Sequence, residues 1–260
     1  MIFGGEFITG VDLVDVCLWL FVTFFFGLVF YLQQESRREG YPLEADTTGK
    51  LEPSGVVWFP EKKTFNLPHG QEPVSVPHGP RDTRDLALKR TAVWPGAPFK
   101  PTGDPMLDGV GPGSYAERQD IPDVTDDGRP RIVPFRLGDG FDVASKDLDP
   151  RGLPVVGADG VQGGVVTDLW IDRSEAIIRY MEVNVGTADA PRSALLPVPF
   201  ANIDKGKRQV SVAAILGGQF AKAPATKAAD QITRLEEDKI CGFYGGGTLY
   251  ATPMRAEPLL

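Results

Sequence analysis

The sequence predicts a single N-terminal transmembrane helix, an extended surface segment and a mainly-β domain that forms a small antiparallel partial barrel. Residues 13–32 read LVDVCLWLFVTFFFGLVFYL, about the 20 apolar residues that a helix needs to cross a bilayer core. Proline and glycine are dense from residue 38 to about 151, and short β-prone runs follow. We therefore expect four parts, at residues 1–12, 13–34, 35–151 and 152–260.

The charges that flank the apolar run predict its orientation. The first basic residues of the chain are Arg37 and Arg38, whereas Glu6, Asp12 and Asp15 lie before or at the start of the run. A cleavable signal peptide would instead begin with a positively charged stretch. By the positive-inside rule, we expect a single-pass protein with a short periplasmic N-terminus and a large cytoplasmic body.

Composition excludes several classes of function. The net charge of -8 argues against a nucleic-acid partner, because phosphate binding requires clustered Lys and Arg. The two histidines, His69 and His78, lie in proline-rich loop sequence and have no cysteine close by in the sequence, so we expect no zinc site. We expect Cys17 and Cys241 to form no disulfide, and Cys241 to be a buried, inert thiol.

The proline-rich segment 35–151 excludes a long helix, yet it retains apolar residues that need a surface to bury against. We expect it to be extended and ordered, and to lie on a partner. Its large apolar residues include Trp58, Phe59, Phe65, Trp94, Phe99 and Tyr115.

Five strands are predicted after residue 152, with turn or corner segments between them. A helix is predicted over residues 228–241, and the glycines after Cys241 are expected to end it. The strand sequences are GLPVVG, GGVVTDLWID, IIRYMEVNV, SALLPVPFANI and QVSVAAI.

Two acidic regions are candidates for chemistry. The loop 123–128 (DVTDDG) fails as a calcium loop, because Pro134 stands where a bidentate Glu is required. The strand corner DLWIDRSEAIIRYMEV contains four carboxylates together with Arg173 and Arg179. A solvated edge is the ordinary interpretation. If a membrane partner buried the corner, carboxyl pKa values would rise towards neutrality, which suits proton relay. The four carboxylates of this corner are Asp168, Asp172, Glu175 and Glu182.

Several strings together resemble one known family. They are YLQQESRREGYPLE, EKKTFNLPHG, ALKRTAV, PTGDPMLDGVGP, GLPV, VVTDLWIDRSE and LEEDKICGFYGGGTLYA. In content and order they are similar to the H subunit of the photosynthetic reaction centre of purple bacteria, over essentially the whole chain. The resemblance implies one transmembrane helix, an extended surface region and a cytoplasmic PRC-barrel domain in the inner, intracytoplasmic membrane.

The resemblance also implies partners and a role. The L and M subunits would hold the bacteriochlorophyll, bacteriopheophytin, quinone and non-haem iron, and this chain alone would bind no cofactor. It would cap the cytoplasmic face of L and M, stabilise the assembly and carry protons to the secondary quinone, without being an enzyme itself. A light-harvesting ring and membrane lipids are further expected partners.

Site residues follow from the resemblance position by position. Asp172 and Glu175 match the acidic pair near the quinone, with Glu175 as the inner relay and Asp172 nearer the entrance. Arg179, Glu182 and Glu237 would belong to the charged cluster where the barrel meets L and M.

Two further matches concern the membrane and the surface. Tyr31 and Arg38 match the inner membrane boundary, where lipid headgroups lie. In well-known relatives the loop aligned with Thr125 to Arg129 presents an Asp and two His residues that collect protons and bind inhibitory metals. Here the two histidines are missing, so a metal site should be weak or absent. Asp123, Asp126 or Asp127 would then collect protons.

Two other functions remain open at this point. A membrane-tethered PRC-barrel protein could serve assembly or regulation unrelated to photosynthesis, since fold does not fix function. A membrane-anchored enzyme could use paired carboxylates, for example in glycoside hydrolysis.

Overall fold

The computed structural model describes residues 12–45, 47–52, 55–78, 84–138, 140–187, 190 and 192–256. The chain divides into two compact units. The first comprises Met1–Thr83 with Trp94–Gly96, and the second comprises Arg84–Val93 with Ala97–Leu260. The predicted N-terminal part at residues 1–12 lies outside the described residues except for Asp12.

The first unit is built on helix α1, Leu13–Glu35. Asp12 caps it by accepting a hydrogen bond from the Val14 N–H, and the Asp15 carboxylate accepts one from the Asp12 N–H. None of its residues is buried within the chain, and its length and composition suit a membrane span. The predicted span is confirmed as a candidate transmembrane helix.

After α1 the chain forms only short regular pieces. In the first unit, β1 (Lys63–Phe65) pairs with β2 (Val74–Val76) as an antiparallel hairpin. In the second unit, β3 (Leu88–Arg90) pairs with β4 (Phe99–Pro101) in the same way. The described part of the proline-rich segment holds no long helix, as its composition predicts.

The second unit contains a seven-stranded sheet. The strands are β5 (Ile132–Pro134), β6 (Pro154–Val156), β7 (Gln162–Asp172), β8 (Ile177–Asn184), β9 (Ser193–Pro197), β10 (Asn202–Asp204) and β11 (Gln209–Ser211).

The strand order is β10-β11-β6-β7-β8-β9, and β5 pairs with the last residues of β7. Within this sheet, as far as the structure describes the chain, β11 and β6 pair in parallel and the other neighbouring strands pair antiparallel. The two ends of the sheet do not meet, so it is a partial barrel of the predicted kind. The predicted strand SALLPVPFANI is instead two strands, since a 3-10 turn at Val198–Phe200 separates β9 from β10. Pro197 and Pro199 cannot donate to a ladder there.

The core lies between this sheet and a C-terminal helix, and part of the proline-rich segment joins it. Met106 and Ile132 are buried in the same cluster as the barrel residues, and Phe135 packs against it. The described residues from Ala97 onwards thus pack with the barrel, before the boundary predicted at residue 152. The most buried members include Val155, Leu169, Trp170, Met181, Leu196, Val210, Ile240, Phe243 and Tyr244.

Helix α2 spans Arg234–Tyr250, so the helix predicted over 228–241 begins later and ends later. Thr233 caps it and Glu236 completes a capping box. The glycines expected to end the helix lie inside it, at positions where neighbouring atoms leave no room for a side chain. A Cβ on Gly242 would lie 2.7 Å from the Gly113 carbonyl oxygen, and one on Gly247 would lie 2.4 Å from Ile215 Cγ2.

Short 3-10 turns connect many of these elements. They are Ser36–Arg38, Gly111–Gly113, Phe135–Leu137, Val198–Phe200, Gly217–Lys222 and Pro253–Arg255.

Candidate functional site

The candidate site is the corner where β7 turns into β8. Asp172 is the last residue of β7, Glu175 lies in the turn and Arg179 lies on β8. The turn places Ala176 at a φ of 54°, in the left-handed region that favours glycine. The tight turn brings these three side chains together, as the sequence suggested.

Asp172 is fully buried, with 0 % of its side chain exposed, and it accepts several hydrogen bonds. Arg131 Nε lies 3.0 Å from its Oδ1 and 2.9 Å from its Oδ2. The backbone N–H groups of Ser174 and Glu175 donate to Oδ1 at 3.0 and 3.1 Å. Arg179 Nε lies 3.4 Å from Oδ2. A buried carboxylate therefore has both charge compensation and hydrogen bonds.

Arg131 connects this buried carboxylate to two more exposed ones. Its Nη2 lies 2.5 Å from Glu175 Oε1, and its Nη1 lies 3.4 Å from Asp123 Oδ2. Arg234 Nη2 lies 2.7 Å from the other Asp123 oxygen. We call these six residues the Arg131 network: Arg131, Arg179, Arg234, Asp123, Asp172 and Glu175.

The carboxylates of the Arg131 network form a gradient from surface to interior. Side-chain exposure falls from 47 % at Glu175 and 30 % at Asp123 to 0 % at Asp172. Three cations balance three anions, so the network is neutral when all its members are ionised.

In the chain by itself, the pKa values of two of these carboxyls fall. Burial alone raises the pKa of Asp172, but the hydrogen bonds from Arg131 and from the Glu175 and Ser174 N–H groups outweigh it and bring it below its ordinary value. Burial likewise raises the pKa of Asp123, but Arg234, the Val124 N–H and Arg131 together bring it below its ordinary value. The pKa of the Arg131 guanidinium is raised, chiefly by its hydrogen bond to Asp172.

The acidic loop lies next to the Arg131 network. Asp127 is exposed and accepts a hydrogen bond from the Thr125 hydroxyl and another from Arg129 Nε at 2.5 Å, and these bonds lower its pKa. Asp126 is exposed. Among the residues that the structure describes, no cluster of three metal-binding side chains occurs.

Glu237 lies on α2 and is half-buried. The Tyr180 hydroxyl donates to its Oε2 at 3.0 Å. Burial raises the pKa of Glu237, although Tyr180, Arg118 and Arg179 lower it. The effect of burial is the larger, so the pKa of Glu237 lies above its ordinary value. On the same helix, Cys241 is exposed at the surface rather than buried as expected.

Glu182 belongs to a different cluster from Arg179 and Glu237. Its Oε2 accepts hydrogen bonds from Arg136 Nη1 at 2.9 Å and from the Trp170 indole at 3.0 Å. Arg136 Nη1 also lies 3.0 Å from Asp168 Oδ2. Asp168 and Glu182 are partners in the β7–β8 register, so Arg136 separates two like charges on adjacent strands.

Sequence reasoning missed the arginines that organise both clusters. Arg131 is 41 residues from Asp172, and Arg136 is 46 residues from Glu182. Arg131 directly precedes β5 and Arg136 follows it by two residues, and β5 pairs Ile132 with Asp172. Only the pairing of a three-residue strand within proline-rich sequence would have revealed them.

The predicted membrane-boundary residues lie in the first unit. Tyr31 is exposed on α1. Arg38 donates from Nη2 to Glu35 Oε1 at 2.7 Å and from Nη1 to the Glu61 carbonyl oxygen at 2.7 Å. Its guanidinium therefore holds the chain after α1 against the end of the helix.

Comparison with known families agrees with this architecture. The family model described as the photosynthetic reaction centre H-chain N-terminal region matches residues 5–137. The PRC-barrel domain model matches residues 142–218, which include β6 to β11. The two matches follow one another in the order that the fold shows, with the candidate span first and the partial barrel after it. The chain belongs to the photosynthetic reaction centre H-chain family.

Proposed function

We propose that this chain caps the cytoplasmic side of the L and M subunits, stabilises their assembly and conducts protons towards the secondary quinone. The Arg131 network is the observation that carries the proton-conducting part. It joins half-exposed carboxylates to a fully buried one within hydrogen-bonding distance of a shared guanidinium.

Glu175 is the residue best suited to relay, although in the chain by itself it is more exposed than Asp172, which the resemblance puts nearer the entrance. Its side chain is partly exposed and it shares Arg131 with the buried Asp172. When Glu175 takes a proton, Arg131 retains Asp172 and Asp123 as partners, so the cation stays compensated. Asp172, whose pKa is lowered, then acts as a fixed negative charge that favours protons nearby.

Protons would reach the network through the acidic loop. Asp123 belongs both to this loop and to the Arg131 network, and Asp126 and Asp127 are exposed beside it. Carboxylates would thus collect protons where the resemblance leads one to expect imidazoles. Arg179 and Glu237 would meet L and M, whereas Glu182 would support the barrel through Arg136 and Trp170.

The proposal also covers the membrane location of the chain and the cofactors of its partners. The chain spans a bacterial inner membrane once, with its N-terminus periplasmic and its bulk cytoplasmic. Bacteriochlorophyll, bacteriopheophytin, quinone and non-haem iron belong to L and M, and this chain is a non-catalytic subunit. A light-harvesting ring and membrane lipids surround the complex.

The assembly role is tested by solubilising the native complex gently and capturing it through this chain. Near-infrared bands of bacteriochlorophyll and bacteriopheophytin are expected in the captured material. A colourless preparation, containing this chain without pigmented subunits, would contradict the assembly role and favour a tethered regulatory protein.

The proton role is tested by proton uptake after a second light flash. Glu175→Gln should slow uptake roughly tenfold or more, in the range for loss of a proton-transfer group. Glu117→Gln is the matched control, because Glu117 is comparably exposed and also lies beside one arginine, Arg84. Equal uptake rates in both variants would remove Glu175 from the path.

A further inference from the structure

The segment that follows α1 returns to the helix and places an indole ring beside it. The Trp58 ring lies 5.3 Å from the ring of Phe30, at an interplanar angle of 61°. Phe30 is five residues before the end of α1, about 7.5 Å along the helix axis at 1.5 Å per residue. Trp58 therefore lies beside the last apolar turn of the helix rather than beyond it.

Two arginines at the end of α1 hold the returning segment in place. Arg37 donates to the Val57 carbonyl oxygen, and its guanidinium lies 5.5 Å from the centre of the Tyr41 ring. Arg38 pairs with Glu35 and donates to the Glu61 carbonyl oxygen. Because both contacts use backbone oxygens on either side of Trp58, they fix the position of the ring along α1.

Along the sequence, the exposed side chains of the returning segment are first apolar and then basic. Trp58 is 60 % exposed although its ring lies beside the last apolar turn of α1, and its neighbour Val56 is 89 % exposed. Lys62 and Lys63 follow and are exposed. Indole rings are favoured at the boundary between acyl chains and headgroups, and lysine side chains reach from that level towards water.

We propose that Val56–Trp58 is a second membrane contact of this chain, inserted at the acyl–headgroup boundary of the leaflet in which α1 ends. Its occupant is phospholipid. The proposal rests on the contact between the Trp58 and Phe30 rings, because a ring beside the last apolar turn of α1 lies in the same lipid environment as that turn. It is independent of proton transfer and requires only that α1 spans the membrane.

The test places the photo-crosslinking residue p-benzoylphenylalanine at position 58 of the full chain, within the native complex in its own membrane. We expect phospholipid adducts after illumination, with a yield comparable to that from the same residue at Trp19 in the span. Adducts to another polypeptide, or no adducts while position 19 gives them, would overturn the proposal.

A matched pair of charge variants tests the arginine contact. Arg37→Gln removes the donor to Val57 and should reduce lipid adducts at position 58 at least about twofold, whereas Lys50→Gln removes an exposed cation elsewhere in the first unit and should not. Equal yields in the two variants would contradict the claim that Arg37 holds the ring in place.

A second measurement does not depend on incorporating the photo-crosslinker. The full chain and its Trp58→Phe variant are reconstituted in bilayers whose lipids carry bromine at successive acyl positions. The difference between their fluorescence signals isolates Trp58, and quenching should be strongest for bromine near the headgroup end. Absence of quenching at every depth would overturn the proposal.

Discussion

Arg131 Nε lies 3.0 Å from Oδ1 and 2.9 Å from Oδ2 of Asp172. This contact joins the residue before β5 to the last residue of β7. The same guanidinium reaches Glu175, which is far more exposed. Arg131 thus determines how strongly the corner favours negative charge, and both the chemistry and the stability of the corner depend on it.

Replacing Arg131 should change the pH dependence of proton uptake in the complex. In Arg131→Gln the pKa of Asp172 rises, because the main opposing effect to burial is lost. Uptake after the second flash should therefore fall, and its pH profile should move to higher pH, whereas Arg131→Lys should retain part of the rate. Arg151→Gln, which removes an exposed cation paired with Asp149, is the control. A profile unchanged in Arg131→Gln would exclude Arg131 from the path.

Asp172 should stabilise the full chain above acidic pH. Because its pKa in the folded state is lowered from 3.8, its stabilisation is present above that value and is lost as pH falls through the folded-state pKa. At pH 7, Asp172→Asn should lower the unfolding free energy by about 2 kcal/mol. This is less than the loss expected when one partner of a fully buried ion pair is removed, because Arg131 keeps its other partners. It should also reduce the loss of stability below about pH 4.

Denaturant unfolding of the full chain in detergent measures this effect. The control is Asp147→Asn, because Asp147 is exposed and lies 3.8 Å from Lys205. An equal and small effect of both substitutions would show that Asp172 does not stabilise the corner.

Glu237 should have the opposite pH dependence. Because burial raises its pKa in the folded state, its contribution is most favourable at low pH and is lost as pH rises through that pKa. Glu237→Gln should therefore raise the thermal midpoint of the full chain at pH 7 by a few degrees, since the amide oxygen still accepts from Tyr180. The gain should vanish below about pH 4, and a lower midpoint at pH 7 would show that the carboxylate is needed in its ionised form.

The parts that sequence predicts well are those governed by local pattern. The apolar run gives α1, and β-branched runs give most of the strands, because each depends on residues close in sequence. The end of α2 is not local. Gly242 and Gly247 look like a helix stop, yet they lie within α2, where Gly113 and Ile215 occupy the space that a Cβ would need.

In the candidate site, too, local sequence predicts some contacts and misses those between residues distant in sequence. Asp172 and Glu175 lie in one turn and can be identified together, whereas Arg131 joins them only through β5. Glu182 was predicted to lie with Arg179 and Glu237, but it packs against Trp170, because the strand register rather than charge type decides which side chains meet.

Zinc should leave proton uptake nearly unchanged. The loop offers Thr125, Asp127 and Arg129, and the Asp127 carboxylate is already bound by the other two side chains. Low-micromolar zinc added before the second flash should therefore slow uptake less than about twofold, since imidazole ligands are lacking. Introducing histidines with Asp127→His and Arg129→His should create sensitivity to zinc. Strong inhibition of the unmodified complex would contradict the claim that carboxylates collect the protons.

Glycine inside α2 should be more stabilising than alanine, contrary to the usual order in helices. Gly→Ala in a helix interior ordinarily gains about 1 kcal/mol. At Gly247, however, the new Cβ would lie 2.4 Å from Ile215 Cγ2 and 2.6 Å from the Ala214 carbonyl oxygen, so α2 must move away from the core. Gly247→Ala should lower unfolding free energy by about 2 kcal/mol, as overpacking does. Gly218→Ala is the control, because nothing lies within 4 Å of its Cβ position. If thermal unfolding of the full chain shows no difference between the two variants, α2 does not depend on its glycines for close packing.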